Sequence, residues 1–321
     1  MKPYVIGIDI GGTNTVFGLV DARGTVIASG SIKTAKHAKV EDFIDELYEK
    51  VSHLIESNDA VGKINGIGVG APNANYYTGT IENAANLAWQ GIIPFAKMMQ
   101  DKFGLPVAIT NDANAAAIGE MTYGVARGLK DFIMITLGTG VGSGIVINGQ
   151  VVYGHDGFAG ELGHMVVKRN NGRLCGCGRT GCLEAYCSAT GVARTAREFL
   201  EIRTDPSVLR DMPIDQITSK DVYDAAVKGD ELAKEVFEYT GTLLGEAMAD
   251  MVVFSSPQAF VLFGGLAKSG DLLLKPLKEA LEKNLMTTFK GKVQVLMSEL
   301  KEADAAVLGA SALGWEAKMI D

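Results

Sequence analysis

The four cysteines of the chain fall between positions 175 and 187, and three of them lie inside "CGCGRTGCLE". Cysteine used as small apolar filler scatters with the packing needs of a core, so this clustering points to a shared task. Cys175 and Cys177 flank one glycine, and Cys182 follows "GRTG". The glycines let the chain turn tightly enough for several sulfurs to converge on one tetrahedral ion, and thiolates suit Zn2+. Cys187 and His164 of "ELGH" are both available as a fourth ligand, and spacing alone leaves the two open. Nothing nearby demands an open coordination position, so the expected metal role is structural.

A second group of residues could handle a hydroxyl and its proton. "AITNDANAAA" sets Asn111 and Asp112 just past an apolar strand and ahead of an alanine-rich helix. There Asp112 can act as a helix cap, or as a base that accepts a proton from a substrate hydroxyl during phosphoryl transfer. Asn83 and Asn86 of "IENAANLAW", Glu161 and His164 of "GELGH", and Glu184 add carboxylates, amides and an imidazole of the kind a polyol requires.

A third chemistry comes from glycine turns. "IGIDIGGTNTVFGLV" (6–20) and "IMITLGTGVGSGIVI" (133–147) align without gaps, placing Gly11 over Gly138. Each reads as strand, glycine turn, strand, and glycine there lets successive backbone N–H groups approach a phosphate. A glycine that only permits a tight hairpin explains either turn alone; the equivalent positions favour a phosphate-facing pair. "FVLFGGLAKSGD" adds a buried-type strand ending at Gly264 and Gly265, a strand-to-helix turn of the sort that receives a nucleotide.

These residues need a frame. Short β-branched runs at 4–10, 15–20 and 25–32 predict an opening antiparallel meander. Val40, Phe43, Ile44, Leu47, Val51, Leu54 and Ile55 recur at helical spacing, followed by the strand "INGIGVGAP", a polar loop over 73–91, a helix over 94–103 and the strand "VAIT". The second half is mostly helical, with stripes at Ala233, Val236, Phe237, Thr240, Leu244, Met248 and Met251 and at Leu274, Leu277, Leu281 and Leu285. The alternation predicts an α/β protein. At 321 residues and 47% hydrophobic, the chain exceeds the usual size of a single core, so two domains are expected.

A formal charge of −8 offers no basic face to a phosphate backbone, so no nucleic-acid partner is expected. The apolar start carries Asp9 and runs directly into glycines, unlike a signal segment, and no apolar run reaches membrane-span length. A cytoplasmic protein without membrane contact is expected, where thiols stay reduced.

Together, "DIGGTN" (9–14), "NDANAAA" (111–117), "LGTGVGSG" (137–144), "GFAGELGH" (157–164) and "CGCGRTGCLE" (175–184) resemble the ROK family of bacterial sugar kinases and sugar-responsive repressors. The similarity runs from the first strand to "DAAVLGAS" near the C-terminus. It implies an actin-like ATPase (ribonuclease H-like) fold with two domains around a central cleft. Residues 1–114 plus 306–321 would form the smaller domain and 115–305 the larger. It further implies ATP and Mg2+, with a hexose as substrate phosphorylated at its 6-hydroxyl, glucose first, and amino sugars or fructose as alternatives.

By the same resemblance, Asp112 is the general base, Asn111 and Asn86 hold neighbouring hydroxyls, and Glu161, His164 and Glu184 hold the anomeric half of the ring. Gly11, Gly12, Thr13 and Asn14, with Gly138, Thr139 and Gly140, match the phosphate loops; Asp9 places magnesium, and Gly264 with Gly265 form the adenosine turn. His164, Cys175, Cys177 and Cys182 match the family's zinc ligands, which leaves Cys187 spare. The family's Pro-Gly pair between Leu and Trp is a single alanine in "NLAW". A homodimer or homotetramer is implied, whereas a repressor would need a DNA-binding module ahead of Asp9, where only a few residues stand.

Overall fold

The computed structural model describes residues 2–300 and 302–320. Met1 and Asp321, the outer limits of the domains read from the sequence, lie outside them. The chain runs β1 (Tyr4–Ile10), β2 (Thr15–Asp21), β3 (Val26–Ile32), α1 (Val40–Ser57), β4 (Ile64–Gly70), β5 (Ala74–Asn75), β6 (Thr80–Glu82), β7 (Ile92–Ile93), α2 (Phe95–Phe103), β8 (Val107–Thr110) and α3 (Asp112–Tyr123). It continues β9 (Phe132–Leu137), β10 (Val141–Ile147), β11 (Gln150–Val151), α4 (Glu184–Cys187), α5 (Ala189–Ile202), α6 (Ser219–Val227), α7 (Glu231–Ser255), β12 (Ala259–Phe263), α8 (Asp271–Asn284), β13 (Gln294–Met297) and α9 (Glu302–Gly314).

Two compact units result. One comprises the chain up to Lys130, Gly144–Gly160 and the chain from Ser298; the other comprises Asp131–Ser143 and Glu161–Met297. The two main sheets have one topology: β3-β2-β1-β4-β8 and β11-β10-β9-β12-β13, the same order when each set is counted in its own sequence. The short glycine-turn repeat in the sequence is thus the visible part of a repeated five-stranded sheet. Strands β1, β4 and β8 are mutually parallel, as are β9, β12 and β13. Parallel pairing needs a crossover between strands, which is what the helical stripes supply.

In the first unit β1 is covered on both faces. Ile6, Ile8 and Ile10 join a core with Phe43 and Leu47 of α1, while Val5 faces the other way onto Val20, Val307 and Leu308. Helix α9 lies directly against the sheet, since a Cβ on Gly68 would sit 1.9 Å from the carbonyl oxygen of Ala310. It crosses α3 equally closely: a Cβ on Gly119 would sit 2.7 Å from the Cα of Gly309. The small residues of "NAAAIGE" therefore serve helix–helix contact.

The polar stretch 73–91 contains β5 and β6, which pair antiparallel and continue to β7. Strands of two or three residues are too short to show a hydrophobic period. In the second unit the stripe along α7 is buried throughout, but the face of α8 centres on Leu273, Leu277 and Leu281, with Leu274 only partly covered. No helix among the described residues is long and apolar enough to cross a membrane.

Candidate active site

In the first unit the candidate residues collect at the C-terminal ends of parallel strands, where open α/β sheets place ligands. Asp9 is the penultimate residue of β1, Gly70 ends β4, and Asn111 and Asp112 follow β8. Gly70 marks their convergence, because a Cβ there would lie 3.4 Å from Asp9 Oδ1 and 3.7 Å from the Cα of Asp112. Asn111 takes the N-cap of α3, its Oδ1 accepting from the Ala113 N–H at 2.8 Å. Asp112 is instead the first residue of the helix, its Oδ1 also 2.8 Å from that N–H. The N-cap position open to Asp112 in the sequence is thus held by its neighbour, whose side-chain oxygen is committed to the helix.

Asp112 keeps solvent access, yet the protein around it desolvates its carboxyl enough to raise its pKa against the opposing pull of the Ala113 N–H. Burial, aided by the neighbouring Asp112 carboxylate, pushes Asp9 up to about 7. Among the described residues no cationic side chain pairs with either carboxyl, and a divalent cation fits that deficit. The turn that follows is closed by the Gly11 N–H donating to the Asn14 carbonyl at 3.0 Å, with Thr13 and Asn14 exposed. Asn86 is exposed beside it, and a Cβ on Gly12 would lie 2.5 Å from the Asn86 carbonyl oxygen.

The second unit holds the corresponding turn after β9. Gly138 N–H donates to the Gly140 carbonyl at 3.1 Å. The N–H groups of Thr139 and Gly140 have no protein partner among the described residues. A cavity of about 440 Å³ opens beside them, lined by Gly138, Thr139, Ala189, Tyr223, Gly265 and Ser269. Gly264, at φ +105°, follows β12 and turns the chain toward it. The contribution of α6 was not legible in the sequence: Val222, Ala225 and Ala226 mark its core face, and nothing distinguishes Tyr223 from an ordinary solvent-side residue.

The same unit gathers the metal-binding candidates. One ligand atom each from His164, Cys175, Cys177 and Cys182 lies within 4.8 Å of the others. Cys177 Sγ and Cys182 Sγ are 3.7 Å apart, and Cys175 Sγ is 3.6 Å from His164 Nδ1. A tetrahedral ion with metal–sulfur bonds of about 2.3 Å and a metal–nitrogen bond of about 2.0 Å requires edges of roughly this length. Cys187 lies elsewhere, fully buried, its thiol toward the Thr240 carbonyl at 3.6 Å and raised in pKa by burial.

A brace absent from the sequence reading holds this loop. Buried Arg173 donates to Glu198 Oε2 at 2.6 Å and to the Ala185 carbonyl at 3.1 Å, and its guanidinium stacks 4.4 Å from the Tyr186 ring centroid. Glu184 Oε2 accepts from the Val141 N–H at 3.0 Å, and Oε1 lies 3.5 Å from Cys175 Sγ. His164 Nε2 is 4.0 Å from Glu161 Oε2. Asp9, Asn86, Asn111 and Asp112 thus stand in the first unit, and Glu161, His164, Glu184, the cysteines and the Gly138 and Gly264 turns in the second.

A sequence profile described as "ROK family" matches residues 5–317. The chain belongs to the ROK family. Glucokinase of Halalkalibacterium halodurans is 36% identical over 98% of this chain and 95% of its own length. Glucokinase of Thermotoga maritima is 32% identical over 97% of each. Among solved structures, a ROK family glucokinase from Streptomyces griseus in complex with glucose and AMPPNP matches with a TM-score of 0.80 at 33% identity, covering 98% of this chain and 99% of that one. The ROK fold, a two-domain α/β architecture of the actin-like ATPase type, is therefore the fold of this chain.

Proposed function

We propose that this ROK protein is an ATP-dependent hexokinase that transfers the γ-phosphoryl group to the 6-hydroxyl of glucose. End-to-end similarity to proteins named glucokinase carries this reading. In it, Asp112 accepts the proton of the 6-hydroxyl as the oxygen attacks phosphorus; the O6–P bond forms and the bond to the β-phosphate oxygen breaks, releasing ADP. Its raised pKa favours such a base, since a carboxylate nearer neutrality takes a proton more readily.

Asn111 offers its amide nitrogen to an adjacent hydroxyl, because its carbonyl oxygen is committed to the helix. Glu161, His164 Nε2 and Glu184 Oε1 are the second unit's candidates for sugar hydroxyls, and Asn86 a further one in the first. Gly11 to Asn14 and Gly138 to Gly140 take the phosphates, and Gly264 and Gly265 take the adenosine. Asp9 holds Mg2+, which when bound neutralises charge on the transferring phosphate. His164, Cys175, Cys177 and Cys182 would hold Zn2+, which would fix the orientation of the His164 ring and steady Glu184 two residues beyond Cys182.

ADP release measured with ATP, magnesium and each of glucose, N-acetylglucosamine, N-acetylmannosamine and fructose tests the reading. Highest kcat/KM for glucose supports it; preference for another sugar replaces the substrate, and no release with any overturns the enzyme.

A further inference from the structure

The segment that follows the cysteine cluster grips the second glycine turn at successive points. Glu184 Oε2 accepts from the Val141 N–H at 3.0 Å. The Ala189 N–H donates to the Gly138 carbonyl at 2.8 Å, and Thr190 Oγ1 donates to the Thr139 carbonyl at 3.0 Å. The turn closes tightly on the carboxylate: a Cβ on Gly140 would lie 2.4 Å from Glu184 Oε2. Glu184 is itself held, since the Leu183 N–H donates to the Met165 carbonyl at 2.9 Å and Arg173 grips the Ala185 carbonyl.

These bonds consume the outward carbonyls of Gly138 and Thr139 and the N–H of Val141. They leave the Thr139 and Gly140 N–H groups, which have no protein partner among the described residues, as the donors an anion would meet. A carboxylate so close to an anion site is unfavourable by charge alone, so its presence there needs a geometric reason.

We infer that Glu184 and Thr190 are positioning residues for the nucleotide: they hold the Gly138–Val141 turn in its anion-binding shape and so set nucleotide affinity even when no sugar is bound. The inference rests on the reading of that turn as a phosphate site. It gives Glu184 a task separate from any sugar contact, because Oε2 is used by the turn while Oε1 is not.

The test is binding of a non-hydrolysable ATP analogue with magnesium, without sugar, by titration calorimetry, together with hydrogen exchange of the amides over 138–142. Glu184→Ala is expected to weaken binding about tenfold, the effect of losing a hydrogen bond to a charged group. Glu184→Gln is expected to stay within about threefold, since its amide oxygen still accepts from Val141. Thr190→Val, at an exposed residue outside the metal-ligand group, is expected to weaken binding about fivefold. Val141 exchange should rise in Glu184→Ala and not in Glu184→Gln. Wild-type-like nucleotide affinity in both Glu184→Ala and Thr190→Val overturns the inference while leaving the kinase reading intact. Failure of the wild-type chain to bind the analogue at all overturns both.

Discussion

Asp9 and Asp112 converge on Gly70, and Asp9 carries the consequence: burial and the second carboxylate push its carboxyl up to about 7, from 3.8. A carboxyl raised on folding stabilises the protein fully below its unfolded pKa and loses that contribution as pH rises through the folded value. In the chain free of nucleotide and metal, Tm should therefore fall between about pH 4 and pH 7 from this source. Asp9→Asn should flatten that fall, and added Mg2+ with nucleotide should counter it near pH 7. Equal pH slopes of Tm in wild type and Asp9→Asn would contradict the assignment.

The cysteine cluster should bind metal in proportion to chain. Metal analysis of purified protein is expected to find about one zinc per chain. Cys182→Ser should lower that content and raise KM for sugar by roughly ten- to a hundredfold, the usual effect of disturbing the frame behind a ligand. Because Asp112 lies in the other unit, kcat should change less than KM. A fully active protein without zinc would contradict this account.

Helix α3 carries Asp112 on its first turn and meets α9 at Gly119 and Gly309. A valine at Gly119 must displace the Gly309 backbone, a form of overpacking that costs about 1–3 kcal/mol or more. Denaturant unfolding of Gly119→Val should show this loss, whereas Gly265→Ala should stay near wild type by comparison, since its backbone is outside the left-handed region and a Cβ there meets nothing within 4 Å. A neutral Gly119→Val would show that the two helices are free to separate.

Much of this arrangement was legible in the sequence where the signal is local. The strand, glycine turn, strand grammar is contiguous, and the residues of α1 and α7 keep a helical period, so both were readable without tertiary knowledge. The three cysteines were readable for the same reason. Spacing left His164 and Cys187 open as the fourth ligand; the fold separates them, sending Cys187 toward Thr240. Other features depend on what packs nearby. Arg173 has no motif of its own, and its role appears only once α4 and Glu198 surround it. Which of Asn111 and Asp112 caps α3 is a matter of one residue in the helix start, below the resolution of a propensity argument. The short strands β5 to β7 and the Tyr223 side of α6 carry no periodic mark.

The central claim is proton abstraction by Asp112 during transfer to the 6-hydroxyl of glucose. The most direct measurement is phosphorus NMR of the product formed from ATP and glucose, run beside Asp112→Asn with sugar affinity measured in parallel. The account predicts a single 6-phosphate product in the wild type. In Asp112→Asn it predicts a rate lower by roughly 10² to 10⁴, the span general-base catalysis supplies, with sugar affinity within about tenfold. Wild-type turnover in Asp112→Asn, or a phosphate on another hydroxyl, would contradict it.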